Sequence, residues 1–523
     1  MKKAASYKKD IFLYPLLAMF LGILLIVFVF MYPILKDKTR EYLEGQTTAT
    51  EITDKLEKEY ADKFVFKNSF VNLNGLMARI LGQNYLNIVI KLNNGHLSHT
   101  EDIANDAVIR NAAEMATLNN FLAERGIGFL YIPVPNKNTF YIDEFPDGYI
   151  NGMRINREHM LKLMQEYGVK TFDLNAWFKA QSYTMDEVYF KTDDHWRPEV
   201  ALPAAAAIMK FMVEEYGIQM DATLLDPKNY TVDIYKNFFL GNSYGKRVGT
   251  LYAGVDDFSL FRPSYENQIT FGLPKYNILE TGSIDETMLH TDYLKKRNLF
   301  GANPYDTYIG GQYPLAYYQN KTAVNQMKVL LLGDSFGNMM EYFLSPQFSD
   351  VYSIDLRHYT STSLAQYIDM VNPDLVLMCQ YSVSHTSLYT FGVEEYEEAK
   401  QGAKVLLQQY PQLEVKPSDF THNGATLFDQ LESGKTYTLS IDRTAVTDGF
   451  TNYIQLILYD YSEEKQLKEY YFFADSDEKQ QWIFTVPEGQ DISLLLYAGM
   501  IGKTQDIGIY LDNIQIYEGV YIE

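Results

Sequence analysis

The chain reads as an α/β protein: a mainly parallel sheet with helices on both faces, set behind an apolar N-terminal helix and followed by a β-sandwich. Three observations predict this. Residues Ile11–Leu35 carry no charge, helical and strand-like runs alternate from about Asp106 to Gln380, and beyond about Val415 short β-rich runs separated by turn residues take over. The apolar run exceeds the roughly 20 residues needed to cross a bilayer. Alternation of helix and strand is the pattern of a sheet covered on its faces, and recurrent short strands are that of a sandwich. At 523 residues the chain outgrows one core, so two or three soluble units of about 100–200 residues are expected. Hydrophobic residues at 47 %, with 43 Tyr and 31 Phe, fill such cores, and charged residues at 21 % argue against extended disorder.

In chain order, residues 1–10 are expected to form a short cytoplasmic tail carrying Lys2, Lys3, Lys8 and Lys9. Residues 11–35 form a transmembrane anchor rather than a cleaved signal peptide, because the run is long and no small-x-small site precedes Lys36. The slight excess of basic residues before it places the large domain outside the cell. A charged stalk follows over 36–60, then an α/β catalytic domain over 61–412. There the amphipathic run Ala107–Arg125 precedes Phe129–Pro133, and His159–Tyr167 precedes Lys170–Phe172. An insertion around 220–320 splits the pattern, which resumes with strands at Lys328–Leu332, Val351–Leu356 and Asp374–Cys379. The sandwich, 415–523, takes its strands from runs such as Thr436–Ser440, Tyr453–Tyr459, Trp482–Val486, Ile492–Leu496 and Ile507–Tyr517.

A net charge of −22, from 67 acidic against 45 basic residues, disfavours nucleic acid and anionic lipid as partners and suits a neutral or cationic substrate. The lone Cys379 excludes an intrachain disulfide and sits in an apolar run, so it is expected in the core. No zinc-type Cys/His cluster occurs, and no metal site is expected.

Chemistry concentrates in two segments. Gly333-Asp334-Ser335-Phe336 follows the apolar run Val329–Leu332 and places Ser335 on a strand-to-helix turn, at the carboxyl ends of the strands where ligands gather. A serine hydroxyl needs a base, and Lys191-Thr192-Asp193-Asp194-His195-Trp196 supplies one. On an extended segment Asp193 and His195 share a face, so Asp193 orients the imidazole while Asp194 points away. The plain alternatives are an Asp cap on the helix near Pro198–Tyr216 and a Ser335 that caps a helix starting at Phe336. A helix start would also offer the Ser335 N–H to an oxyanion, with Asn242 of the Gly241–Gly245 loop as second donor. Arg357, on the end of the next strand, faces the same cleft or forms a structural ion pair; with Asn242 and Asp194 it completes the supporting set. His358 and His385 lack an Asp two residues before them and rank below His195. Tyr470, Tyr471 and Trp482 either stack on sugar rings or fill the sandwich core.

With these motifs the chain resembles the alginate O-acetyltransferase-like branch of the SGNH hydrolase superfamily, and more narrowly the DHHW proteins of bacterial cell envelopes. The resemblance covers roughly residues 60–385. It is carried by Val134-Pro135-Asn136-Lys137, Thr192–Trp196, Phe239–Gly245, Asn303-Pro304-Tyr305-Asp306 with Gly310-Gly311, and the Gly-Asp-Ser-Phe turn at Ser335. It implies a flavodoxin-like sheet, a Ser335, His195 and Asp193 triad, an extracytoplasmic domain on one anchoring helix, and acetyl transfer onto polysaccharide hydroxyls. It further implies no bound cofactor, with the acetyl group supplied by a multi-spanning membrane acyltransferase partner. Asp194 stands where the family name has its first His. The C-terminal region resembles the β-jelly-roll carbohydrate-binding modules through Asp512-Asn513-Ile514. The expected function is a membrane-anchored O-acyltransferase acting on a cell-surface polysaccharide. A glycan O-acetylesterase, a non-catalytic glycan-binding scaffold and D-alanyl transfer onto teichoic acid are its alternatives.

Overall fold

The computed structural model describes residues 2–43, 64, 66–381, 390–416, 419, 424–447, 451–498 and 508–522. The chain forms two compact units, Met1–Asn87 with Gly245–Gly254, and Ile88–Tyr244 with Val255–Glu523. His385 and most of the expected stalk lie outside the described residues.

In the first unit, Lys2–Leu43 is one continuous helix of 42 residues. Among the described residues no helix is long and apolar enough to cross a membrane; the anchor expected over 11–35 falls partly on side chains outside them. A second helix, Lys67–Ile80, packs on the short helices Gly245–Val248 and Thr250–Ala253. Gly75 makes this possible, because a Cβ there would overlap the Val248 carbonyl oxygen. Asn72 Oδ1 accepts from the Thr250 N–H (2.7 Å) and Oγ1 (3.0 Å), satisfying a donor at the start of the partner helix.

The second unit is built on a seven-stranded sheet. Its strands are β1 (Gly128–Val134), β2 (Ile269–Leu273), β3 (Ile278–Gly282), β4 (Leu315–Gln319), β5 (Asn325–Gly333), β6 (Phe348–Asp355) and β7 (Leu375–Tyr381), in the order β1-β7-β5-β6-β4-β2-β3. The first three pairings in that order are parallel and the last three antiparallel. The sheet is therefore mixed, not mainly parallel. The stretch read as an insertion supplies β2, β3 and β4, and β2–β3 is closed by a tight turn that permits only antiparallel pairing. Lys170–Phe172, expected as a strand, contributes a single bridge from Thr171 to Tyr131.

Strands buried on both faces read as unbroken apolar runs. In β5, Leu330 and Leu332 join one core with the helices Asn105–Glu124 and Leu364–Val371. Val329 and Leu331 join the opposite core with Pro198–Tyr216 and Asn338–Leu344. Helices thus cover both faces, and Cys379 is fully buried among them.

The C-terminal strands form two antiparallel sheets. One runs Val405–Val415, Ile509–Glu518, Thr436–Ile441, Gln480–Thr485; the other runs Ala425–Leu431, Ile492–Ala498, Tyr453–Asp460, Lys465–Phe473. Their inner faces share one apolar cluster with the first face of the central sheet. Asn277 also accepts from the Asn452 N–H at 2.8 Å, and Gln366 Nε2 donates to Thr485 Oγ1 at 3.1 Å.

Candidate active site

The segment Lys191–His195 is a bent loop, not an extended strand. Asp256, which lies on a strand far along the chain, accepts the N–H groups of Lys191 (3.0 Å) and Thr192 (2.8 Å) and the Thr192 hydroxyl (2.7 Å). Lys137, fully buried, donates to the carbonyls of Leu97 (2.8 Å) and Lys191 (3.0 Å). Gly241 presses on the loop from the other side, where any Cβ would overlap Thr192 and Asp193. Its N–H donates to Thr192 Oγ1 at 2.9 Å.

The bend turns all three polar side chains inward. Asp193 is 1 % exposed, and its carboxylate is hydrogen-bonded to His195 Nδ1. Asp194, expected to point away, instead brings Oδ1 to 3.2 Å from the same nitrogen and accepts from Ser243 Oγ at 2.5 Å. The Ser243 N–H donates to Asp193 Oδ2 at 3.3 Å. Tyr305 stacks on the His195 ring with centroids 4.2 Å apart.

Burial opposes protonation of His195, but Asp194 and Asp193 outweigh it and raise the imidazole to about 9. For Asp193, burial opposes ionisation, yet the charge and hydrogen bond of His195 hold the carboxyl below its usual range. Asp194 goes the other way, pushed up chiefly by burial, with the Asp193 charge adding to it. Burial also lowers Lys137 to about 8.

Ser335 stands at the carboxyl end of β5 in the turn Asp334–Gly337, closed by Gly337 N–H to Asp334 O at 2.8 Å. The helix begins only at Asn338, so Ser335 is neither its first residue nor its cap. Asp334 holds the turn: its carboxylate accepts the N–H groups of Phe336 and of Tyr381, at the end of β7, each at 2.9 Å. Burial raises Asp334 to about 6 against the opposing charge of Arg357. The loop and the turn meet directly. Trp196 Nε1 donates to Phe336 O at 3.2 Å, and the rings of His195 and Phe336 lie 4.9 Å apart. His195 Nε2 is buried with no partner among the described residues. No hydrogen bond joins it to Ser335 here, and catalytic contacts are commonly looser before substrate arrives.

The other expected residues divide. Arg357 is an ion pair, with Nε and Nη2 on the Asp355 carboxylate at 2.9 and 2.6 Å and Nη2 on Gln312 Oε1 at 2.9 Å. Asn242 is exposed beside Ser243. Trp482 cannot stack on an external sugar: it is 0 % exposed and stacks on Tyr470 inside the sandwich, centroids 5.7 Å apart. Tyr470 is also buried, though with Tyr471 it lines a cavity of about 150 Å³ between the sandwich and the central sheet. Asp193, Asp194 and His195 offer ligand atoms within 4.8 Å of one another, but a cation there would displace the Asp193–His195 bond. Asp256, Lys137, Ser243, Tyr305 and Asp334 escaped the residue-level reading. Lys137, Ser243, Tyr305 and Asp334 lay in motifs that carried the family resemblance, whereas nothing local marked Asp256.

A buried carboxylate-oriented imidazole packed against a serine turn at the carboxyl ends of the strands is an arrangement that can support acyl transfer. Residues 95–233 match the family model of the SGNH hydrolase-like domain of the acetyltransferase AlgX, and that stretch is accordingly SGNH-like. It contains Asp193, Asp194 and His195 but ends before Ser335. No curated protein matches the chain. Among solved structures, Bacillus cereus PatB1 with a sulfonyl adduct is 22 % identical, with 59 % of this chain and 98 % of that one covered at a TM-score of 0.49. A DHHW family protein from Eubacterium siraeum is 18 % identical, with 60 % and 96 % covered at 0.43. Pseudomonas aeruginosa AlgX is 12 % identical, with 83 % and 95 % covered at 0.35.

Proposed function

We propose that the chain is a membrane-anchored, extracytoplasmic O-acetyltransferase that modifies hydroxyls of a cell-surface or secreted polysaccharide through an acyl-enzyme on Ser335. The observation that carries this reading is the buried Asp193–His195 pair packed against the Ser335 turn, with its Nε2 unpartnered among the described residues. In the reaction, Nε2 takes the Ser335 proton as Oγ bonds to the acyl carbonyl carbon. The resulting oxyanion is held by the Ser335 N–H, with Asn242 as the candidate second donor. The tetrahedral adduct collapses, its C–O bond to the donor breaks, and the imidazolium returns the proton to the leaving oxygen. A sugar hydroxyl then repeats the sequence, losing its proton to Nε2 and its oxygen pair to the acyl carbon, and frees Ser335. Asp193 and Asp194 stabilise the imidazolium that exists between the two halves.

The anchor rests on the charge-free run Ile11–Leu35 within the continuous N-terminal helix, whose described apolar side chains, such as Leu25 and Phe28, stand exposed. The acetyl group and its delivery by a multi-spanning acyltransferase rest on the family resemblance. Incubating the protein with an acetyl ester and oligosaccharide acceptors tests the reading. Acetylated sugar that disappears in Ser335→Ala is the expected result. Acetate release without acetylated sugar would instead make the protein an esterase, and full activity in Ser335→Ala would end the acyl-enzyme reading.

A further inference from the structure

The net charge of −22 is unevenly distributed. No Asp or Glu occurs between Lys63 and Thr100, nor between Ile234 and Val255. The paired segments of the first unit, Phe66–Asn87 and Gly245–Gly254, therefore carry Lys67, Arg79, Lys246 and Arg247 and no acid at all.

The same unit exposes an apolar stripe. Phe66, Phe70, Leu73, Met77, Ile80 and Leu81 are 42–68 % exposed, and at helical pitch they fall within an arc of about 100°. The reason lies on the packed side, where the small residues Gly75 and Ala78 are buried and Gly75 meets Val248 and Tyr252. With glycine and alanine turned inward, the large apolar side chains of Lys67–Ile80 are left outward. Leu251, 43 % exposed, adds to them from the second segment. A helix with an outward apolar stripe, in segments whose own charged residues are all basic, matches an interfacial membrane helix, not a solvated one.

We propose that this unit is a docking surface for a bilayer containing anionic lipid. The helix Lys67–Ile80 lies in the interfacial plane, its stripe in the acyl boundary and Lys67, Arg79, Lys246 and Arg247 at the level of the phosphates. A second copy docked through the same face would set the same four basic residues against one another. The inference goes beyond acyl transfer and does not depend on it.

The test uses the full chain with Leu73→Cys, labelled there with an environment-sensitive fluorophore, since the native Cys379 is fully buried. Vesicles carrying a lipid-borne quencher are added, either phosphatidylcholine alone or phosphatidylcholine with phosphatidylglycerol. The label is expected to be quenched severalfold more by the anionic vesicles. Combining Lys67→Gln, Arg79→Gln, Lys246→Gln and Arg247→Gln should erase the difference between the two lipids. Equal quenching in both lipids, no quenching in either, or quenching only after a membrane protein fraction is added would overturn the proposal. Carbonate extraction reads the anchor separately. Retention with an unquenched label removes the docking surface alone; extraction with a quenched label removes the anchor alone.

Discussion

The two segments that make the candidate site are held in opposite ways. The Lys191–His195 loop is tied from every side: Asp256 takes its N–H groups, Lys137 a carbonyl, Ser243 both carboxylates, and Tyr305 covers the imidazole. The Asp334–Gly337 turn is tied at its shoulders by Asp334, while Ser335 itself makes no hydrogen bond among the described residues. The difference teaches where preorganisation is placed. Under the proposed mechanism, the groups assigned to handle charge are fixed before the reaction, when fixing them costs no reorganisation, and the hydroxyl assigned to change partners is left uncommitted.

The largest break in this contrast is expected from Ser335→Ala, a loss of about 10⁴-fold or more in kcat. Because the hydroxyl has no partner to lose, the thermal unfolding midpoint should stay where it was. Asp193→Asn should cost about 10⁴-fold in kcat, by analogy with carboxylate removal from other triads, and a calorimetric scan should also show lost stability. Gly241→Ala tests whether the loop's fixity matters, since its Cβ would overlap Thr192 and Asp193. A destabilisation of roughly 2 kcal/mol in urea titration is expected, with a fall in activity of about 10²-fold as Asp193 is displaced.

Proton linkage sharpens the comparison further. In the proposed reaction His195 serves as a base only when neutral, so with its pKa raised to about 9 kcat/KM is expected to rise with pH up to about that value. Asp194→Asn removes a carboxylate that raises this pKa, so the rising limb should move to lower pH. The same shift means that proton binding to His195 stabilises the fold, fully below 6.5 and no longer above about 9. The smallest effect is expected from Asn242→Ala, on an exposed side chain: under about 10-fold in kcat. A loss of about 10²–10³-fold would make Asn242 the second oxyanion donor.

What was legible in the sequence follows from the range of the causes. The β5 strand and its serine turn are written in adjacent residues, Val329–Ser335, and so are the Asp193–His195 spacing and the helices on both sheet faces. The inward turn of Asp194 is not, because it is imposed by Asp256 and Gly241 from distant parts of the chain. The antiparallel half of the sheet was hidden for a related reason: β2, β3 and β4 lie in the stretch read as an insertion, and the pairing that makes β4 part of the sheet is with the distant strand β6. Trp482 shows a third limit, since an aromatic in a strand looks the same whether it faces the core or a ligand.

Incubation with a serine-directed acyl analogue, followed by mass mapping of the modified peptide, tests the central claim most directly. The account predicts a single adduct on Ser335 in the native chain, formed more slowly by orders of magnitude in His195→Ala. An adduct on another residue, or one that forms on Ser335 at the same rate without His195, would contradict it.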